Sequence, residues 1–130
     1  MPESTIIPVL TYVDIDNAIA LLTDTFNFKE RWRIGNHRAQ LSYGNGTVVV
    51  TEGTSTNAIV LLVRVMDVES HFAVAKSRAA KIISSPTDQF YGERQYTVED
   101  IGGHFWTFSQ TIKDLAPEDW GATRKQGKNQ

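Results

Sequence analysis

Hydrophobic residues follow a helical period in two segments of the chain. In residues 15–26 and again in residues 68–79, apolar side chains recur every three or four positions. This spacing places them on one face of an amphipathic helix. An aspartate precedes each segment, and short acidic side chains in that place cap helix N-termini. The two stripes consist of Ile15, Ala18, Ile19, Leu22 and Phe26, and of Val68, Phe72, Ala75 and Ala79, with Asp14 and Asp67 as the caps.

The other regular segments are short, rich in β-branched or aromatic residues, and separated by turn residues such as the "GNG" at 44–46. Such segments are typical of strands and hairpins. One precedes each predicted helix and three follow it, so the order β-α-β-β-β occurs twice. The predicted strands are residues 5–13, 29–35, 37–43 and 47–53 around the first helix, and 57–66, 81–85, 93–99 and 104–110 around the second.

The sequence itself repeats along with this order. "DIDNAI" at 14–19 aligns with "DVESHF" at 67–72, and "GTVVVT" from Gly46 aligns with "GHFWTF" from Gly103. We therefore predict two tandem modules that together form a single domain. Module one covers residues 5–52, a polar linker covers 53–57, module two covers 58–111, and a tail covers 112–130. In the tail a turn is expected to dock Trp120, and the last eight residues are expected to be disordered.

Composition narrows the classes of function. A chain of 130 residues without cysteine excludes disulfides, thiolate metal sites and cysteine nucleophiles. The net charge is −2, and the last eight residues hold three of the cations, so the rest of the chain carries about −5. This balance argues against a nucleic-acid partner. No apolar run is long enough to span a membrane, and the N-terminal residues do not resemble a signal peptide, so we expect a cytoplasmic protein.

Two stretches carry a resemblance to a known family: "PVLTYVDIDNAIALLTDTFNF" at 8–28 and "YGERQYTVEDIGGHFWTF" at 91–108. With the doubled βαβββ order, they resemble the vicinal oxygen chelate superfamily of glyoxalases, extradiol dioxygenases, and fosfomycin and bleomycin resistance proteins. The resemblance implies an α+β fold in which two modules curl into a cup-shaped mixed sheet with the helices on its convex face. Ile101 and Gly102 replace the Pro-Asp that is usual in the family's closing turn.

The resemblance also implies where a metal would bind, namely on the opening and closing strands of each module. Those positions fall on Ile7, Val50, Val60 and Thr107, none of which has a side chain suited to a divalent ion. We therefore predict the metal-free branch of the superfamily, with no metal ligands and no cofactor. His104 is interpreted as the shoulder of a hairpin, His71 as a helix-surface or partly packed residue, and His37 as a solvated strand end.

Strand alternation selects the side chains that face the predicted cup, because successive residues point to opposite sides of a sheet. Amides, hydroxyls and one arginine on that face are suited to orienting a small polar ligand, and Arg64 to pairing with a carboxylate or phosphonate or with a neighbouring glutamate. Trp32 is assigned equally to the core or to an aromatic wall. The candidate ligand-binding residues are Thr11, Trp32, Gln40, Ser42, Arg64, Gln95, Thr97, Phe105 and Thr107.

Three functional hypotheses remain. The first is a metal-free homodimer that sequesters a small molecule, as bleomycin resistance proteins do, with Trp120 packed on the partner chain and no catalysis. The second is a metal-dependent lyase, isomerase or dioxygenase whose unusual site uses His37, Glu52 and His104. The third is an interaction module whose collapsed cup is filled by Trp32 and Phe105. The ligand itself is not specified by the sequence.

Overall fold

The structure is a computed structural model that describes residues 6–54 and 57–121. The first module contains β1, α1, a π-helical turn and three more strands, and the second contains β5, α2 and three strands. The bounds are β1 Val9–Tyr12, α1 Ile15–Ala20, the π-helical turn Leu21–Thr25, β2 Lys29–Ile34, β3 Arg38–Tyr43, β4 Gly46–Glu52, β5 Val60–Arg64, α2 Val68–Ser77, β6 Lys81–Asp88, β7 Glu93–Glu99, β8 Phe105–Thr111, and a 3-10 turn at Pro117–Trp120.

The strands form two mixed sheets of four, with the orders β1-β4-β3-β2 and β5-β8-β7-β6. The opening strand of each module pairs in parallel with its closing strand, and the other pairs are antiparallel. The predicted α+β class with two βαβββ modules is confirmed. The linker and the tail contain two stretches, residues 55–56 and 122–130, that lie outside the described residues, and the predicted disorder of the last eight residues falls there.

Both predicted helix caps are present, but both helices are shorter than the stripes indicated. The Asp14 and Asp67 carboxylates accept the backbone N–H of Asn17 at 3.1 Å and of Ser70 at 3.2 Å. The α-helix α1 has six residues and continues as a π-helical turn. α2 ends at Ser77, and Ala79 has a left-handed φ of 61°. Ala79 therefore belongs to the turn after the helix, because a helical period also fits a residue placed just past the end.

One hydrophobic core serves both modules. Phe26, which follows the π-helical turn in module one, is 1 % exposed. Its ring stacks on that of His71 and packs at a tilt against the rings of Trp106 and Phe108, all in module two. Phe28 meets the Trp106 ring edge-on at 5.5 Å. Aromatic pairs at these separations contribute attraction beyond the burial of area alone. The modules are thus joined through the sides of their sheets that pack against the shared core.

The register of each sheet separates a core face from what we call the cup face, its opposite side. The alternation predicted from the sequence is correct: Leu10, Leu41, Tyr96 and Phe108 are fully buried on the core faces. One position needs correction. In β4, Val49 pairs with Val9 on the cup face, whereas Val50 is fully buried. The alignment on Gly46 and Gly103 was wrong by one residue, because the turns before the closing strands differ in length.

Candidate functional site: two half-cups and the junction between them

The nine predicted ligand-binding residues lie on two separate surfaces of the chain. The core faces of both sheets contribute to one buried cluster, so the two cup faces point away from the shared core. A single chain therefore presents two separate half-cups, one on each sheet. Thr11, Trp32, Gln40 and Ser42 lie on the module-one cup face, and Arg64, Gln95, Thr97, Phe105 and Thr107 lie on the module-two cup face.

The middle row of the module-one cup face is apolar around a single amide, while Thr11 and Ser42 add hydroxyls elsewhere on this face. A row runs across the sheet from Val9 through Val49 and Gln40 to Trp32. Gln40 is 7 % exposed, and its side-chain oxygen Oε1 is buried without a hydrogen-bond partner among residues 6–54 and 57–121. Trp32 is 40 % exposed, so it forms part of the surface and not of the core. A buried acceptor without a donor costs free energy, and a ligand that supplies an N–H or O–H recovers it.

The module-two cup face is a hydrogen-bonded polar lattice. The Thr97 and Thr107 hydroxyls lie 2.9 Å apart, and the Gln95 amide donates to the Ser109 hydroxyl at 3.1 Å. Tyr91, in the turn before β7, donates to the Gln95 oxygen at 3.0 Å. The position in module one that corresponds to Thr107 is Val49, which shows how differently the same scaffold is lined.

Glu93 stands at the end of this lattice and orients Arg64. Its carboxylate accepts hydrogen bonds from Ser109 Oγ and Thr111 Oγ1, each at 2.7 Å, and from Arg64 Nη1 at 3.3 Å. Burial acts to raise the pKa of Glu93, but these hydroxyl donors and the Arg64 charge together lower it below its usual value. The Arg64 side chain is 66 % exposed, so the predicted alternative, pairing with a neighbouring glutamate, is present on one edge of the guanidinium only.

His104 lies at the shoulder of the hairpin between β7 and β8, as predicted, and its buried side chain also links the two modules. It is 2 % exposed, its Nδ1 accepts the N–H of Ile59 at 3.0 Å, and its Nε2 lies 3.0 Å from the carbonyl oxygen of Thr11. A carbonyl only accepts, so Nε2 carries the proton and the ring is the neutral tautomer. With both nitrogens bonded to backbone, His104 has no lone pair left for an ion.

Asp100 occupies the same junction and satisfies four donors. Its Oδ2 accepts the Tyr12 hydroxyl at 2.6 Å and the Trp106 indole N–H at 2.8 Å, and its Oδ1 accepts the backbone N–H groups of Gly102 and His104. Burial and the Asp100 charge raise the pKa of Tyr12 far above its usual range. A Cβ at position 102 would lie 2.6 Å from the Tyr12 ring, so glycine is required there.

A second histidine lies partly buried between the modules. His71 Nδ1 lies 2.5 Å from the Tyr96 hydroxyl, and its Nε2 atom is buried with no hydrogen-bond partner in the described parts of the chain. The rings of Phe26 and Phe108 flank the imidazole. Burial lowers the pKa of His71 to about 4 and raises that of Tyr96 above its usual value. His71 is thus partly packed, one of the two interpretations of its sequence position.

The described residues do not fit the family's metal site. Ile7, Val49 and Val60 offer only hydrocarbon, and the Thr107 hydroxyl is bonded to Thr97. Elsewhere, His37 Nδ1 and Glu52 Oε1 pair at 2.8 Å on the exposed end of module one. His104 does not join them, because both of its ring nitrogens are engaged. Within residues 6–54 and 57–121, no group of three His, Asp or Glu side chains is placed to hold an ion.

The tail contributes an aromatic cluster that sequence reasoning identified only in part. Trp120, in the 3-10 turn, packs on the rings of Phe90 and Tyr91 at 6.2 and 5.8 Å. The predicted turn that docks Trp120 is therefore present, with its docking partners in the same chain. Packing of Trp120 on a second chain stays a prediction. Among the described residues no helix is long and apolar enough to cross a membrane.

The comparisons with known proteins agree with this geometry. The family model for the Glyoxalase/Bleomycin resistance protein/Dioxygenase superfamily matches residues 7–108. The chain belongs to that superfamily. Among solved structures it is similar to TioX from Micromonospora sp. ML1, with 30 % identity, a TM-score of 0.76, and coverage of 84 % of this chain and 99 % of that one. No curated protein matches the chain.

More distant structures share the fold. FosX, a fosfomycin resistance protein of Listeria monocytogenes, has 16 % identity and a TM-score of 0.70 over 85 % of this chain and 94 % of its own. The bleomycin-binding protein of Streptomyces verticillus, solved with copper(II)-bleomycin, has 18 % identity and a TM-score of 0.57 over 83 % and 96 %. At these identities the likeness concerns the fold alone.

Proposed function

We propose that this protein is a metal-free, non-catalytic homodimer that binds and sequesters a small molecule. The observation that carries the proposal is the pair of half-cups, one on each sheet of a shared core, each of which exposes apolar side chains. Val60 and Leu62 on module two are 71 % and 64 % exposed, and Val9 and Trp32 on module one are 43 % and 40 % exposed. Contiguous apolar surface of this kind is typical of an interface or a binding groove.

A second copy with two-fold symmetry completes both cups at once. In a two-fold dimer the same surfaces meet twice, so module one of each chain faces module two of the other. Each complete cup then combines the apolar wall and the unpartnered Gln40 oxygen of one chain with the polar lattice around Thr107 of the other. Such a mixed lining suits a ligand with a flat apolar part and several amide or hydroxyl groups. The bleomycin-binding relative supports this ligand class.

Titration calorimetry on protein treated with EDTA tests the binding role, with metal-free bleomycin and copper(II)-bleomycin as probes. We expect two molecules of a probe to bind per dimer. Trp32→Ala on one cup face and Thr107→Lys on the other should each weaken binding at least tenfold, while Asp24→Ala, on the exposed π-helical turn, should leave it unchanged. Failure of both probes to bind would count against bleomycin-like ligands.

Mixing the two damaged variants tests whether the cups are shared. If each cup contains residues of both chains, a mixed dimer of the Trp32→Ala and Thr107→Lys chains has one intact cup and one doubly damaged cup. Binding should then reappear after subunit exchange, at up to one site per mixed dimer. If the mixture binds no better than either variant alone, both cup faces of a site belong to one chain and the proposed dimer is wrong.

Elemental analysis distinguishes the metal-free binding protein from the alternative, a metal-dependent enzyme. Protein purified without a metal-affinity tag should contain less than about a tenth of an equivalent of Fe, Ni, Zn or Mn by our proposal. Near-stoichiometric metal, or ligand binding that requires added Mn²⁺, Ni²⁺ or Zn²⁺, would instead favour an enzyme. The exposed His37–Glu52 pair would then be the place to look for ligands.

A further inference from the structure

We propose that a groove between the two modules of one chain binds a small amphiphilic carboxylate, with the Arg64 guanidinium as its anchor. The groove has a volume of about 370 Å³ and runs along β5, next to the turn between β3 and β4. Cavities of a few hundred Å³ hold small ligands. The groove shares Leu62 and Arg64 with the module-two cup face, but its other wall comes from module one of the same chain, so it needs no second copy.

The walls of the groove are apolar and come from both modules. Phe28 and Val48 of module one face Leu61, Val63 and Trp106 of module two. Trp106 is fully buried and its indole N–H is donated to Asp100, so it closes the floor of the groove without adding a polar group. An alkyl or aryl group placed here leaves water for an apolar surface, which is favourable in proportion to the area buried.

Arg64 is the charged side chain at the rim, and no other residue lining the groove in the described parts of the chain is charged. Its Nη1 is held by Thr111 Oγ1 at 2.6 Å and by Glu93 Oε1 at 3.3 Å. Within residues 6–54 and 57–121, Nε and Nη2 donate to no protein acceptor, and the side chain is 66 % exposed. This free edge is the fork that matches the two oxygens of a carboxylate.

The pairing with Glu93 orients the guanidinium but engages only its Nη1 atom. The Glu93 carboxylate also accepts the Ser109 and Thr111 hydroxyls, so part of its charge is offset by donors other than Arg64. The three contacts fix the plane of the guanidinium before a ligand arrives. A preorganised fork loses less side-chain entropy on binding than a mobile one.

The backbone of β5 supplies further donors. β5 is an edge strand, and the bonds Phe105 N–H to Ile59 O and Val65 N–H to Ser109 O show which residues face β8. In a parallel ladder, alternate residues bond to the neighbour, so the N–H groups of Leu62 and Arg64 point to the free edge beside the groove. A carboxylate near Arg64 thus meets a charged fork together with backbone N–H groups that face away from β8.

Octanoate is the probe, since it is ionised at pH 7 and its chain suits the apolar walls, and 1-octanol is its uncharged match. Titration calorimetry should give a stoichiometry of one octanoate per chain. Its affinity should be at least tenfold higher than that of 1-octanol. Arg64→Gln should weaken octanoate about tenfold, because a charge-assisted pair contributes on the order of that factor. Arg64→Lys, which keeps the charge but lacks the fork, should recover only part of the affinity.

Two controls separate this site from the cups. Arg38→Gln removes an exposed cation on module one, outside the groove, and should leave octanoate binding unchanged. Trp32→Ala damages the proposed cup and should weaken bleomycin but not octanoate. Equal binding of octanoate to wild type and Arg64→Gln, no binding at all, or loss with Trp32→Ala would overturn the inference. If octanoate binds in a way that depends on Arg64 but bleomycin does not bind at all, the groove is supported and the proposed cups are not.

Discussion

The two modules have the same topology but differ in the residues at the middle of their cup faces. In module one, Gln40 lies in an apolar row, and its buried side-chain oxygen has no donor among the described residues. In module two, the equivalent surface is occupied by hydroxyls and an amide that bond to one another, such as Thr97 with Thr107 and Gln95 with Ser109. The module-one face therefore contains a buried acceptor that lacks a donor among the described residues, whereas these polar side chains of the module-two face bond to one another.

This difference indicates how a repeated scaffold acquires a specific function. The core faces of both sheets carry the same kind of buried residue, because packing requires it, and leave the alternate positions free to differ. A ligand held between two such faces finds an apolar wall with one acceptor on one side and a rigid polar lattice on the other. The predictions below test the rigidity of the junction first, then the two faces.

The largest effect is expected at the junction that holds the modules in fixed relation. Asp100→Ala removes a buried carboxylate and leaves the Tyr12 hydroxyl and the Trp106 indole N–H without acceptors. We expect the free energy of unfolding to fall by about 3–5 kcal/mol. Urea denaturation measures it, with Asp24→Ala as the exposed control. A loss below about 1 kcal/mol would mean that the junction does not hold the modules.

The contrast between the two faces predicts that the same Gln→Leu replacement changes the free energy of unfolding in opposite directions at position 40 and position 95. Gln40→Leu removes an unsatisfied buried oxygen and should stabilise the fold by about 1 kcal/mol. Gln95→Leu deprives Tyr91 of its acceptor and Ser109 of a donor, and should destabilise it by about 1 kcal/mol. Both values come from thermal or urea unfolding. Changes of the same sign would remove the distinction between the faces.

The stability of the module interface should depend on pH through His71. Burial lowers its pKa in the folded protein to about 4, below the value of 6.5 expected when the chain is unfolded. The unfolded state therefore binds the proton first. The contribution of the neutral ring is complete above pH 6.5 and is lost as the pH falls toward 4.

Between pH 7 and pH 5 we expect a loss of about 1 kcal/mol from this group, after allowance for partial solvent screening. His71→Phe keeps a ring between Phe26 and Phe108 but does not titrate, so it should flatten the dependence over this range. Unfolding free energies at several pH values measure the slope. If the free energy of unfolding of the variant depends on pH as steeply as that of the wild type, other groups cause the dependence.

The smallest effect on stability is expected for Trp32, the wall residue of the module-one face. Because its side chain is 40 % exposed, Trp32→Ala should change the free energy of unfolding by less than about 0.5 kcal/mol while it weakens ligand binding. A paired measurement of melting temperature and affinity tests this. A loss of several kcal/mol would instead place Trp32 in the core.

Local sequence patterns were sufficient for the scaffold but not for the arrangement of the site. Period and alternation placed both helices, all eight strands and the inward or outward sense of residues such as Leu10 and Phe108, since these depend on near neighbours. They missed the end of α2 before Ala79 and the one-residue shift at Val49, because caps and turn lengths are decided by backbone geometry.

The same patterns did not place the predicted site residues relative to one another. Alternation specifies which side of a sheet Gln40 or Thr107 occupies, but not which side of the core that face points to. That depends on contacts distant in sequence, such as Phe26 with Phe108 and His104 with the Thr11 carbonyl. For the same reason the pattern placed His104 at a hairpin shoulder without its partners, which are the Thr11 carbonyl in module one and the Ile59 N–H just before β5.

The central claim, that a second copy completes two half-cups, is tested most directly by the mass of the protein in solution. Light scattering during gel filtration, over a range of concentrations, should give about twice the chain mass of 14.6 kDa. Leu62→Arg, which places a charge on the exposed module-two face, should shift the mass toward that of one chain. A wild-type protein that stays at the mass of one chain at all concentrations would contradict the account, because its cups would remain open.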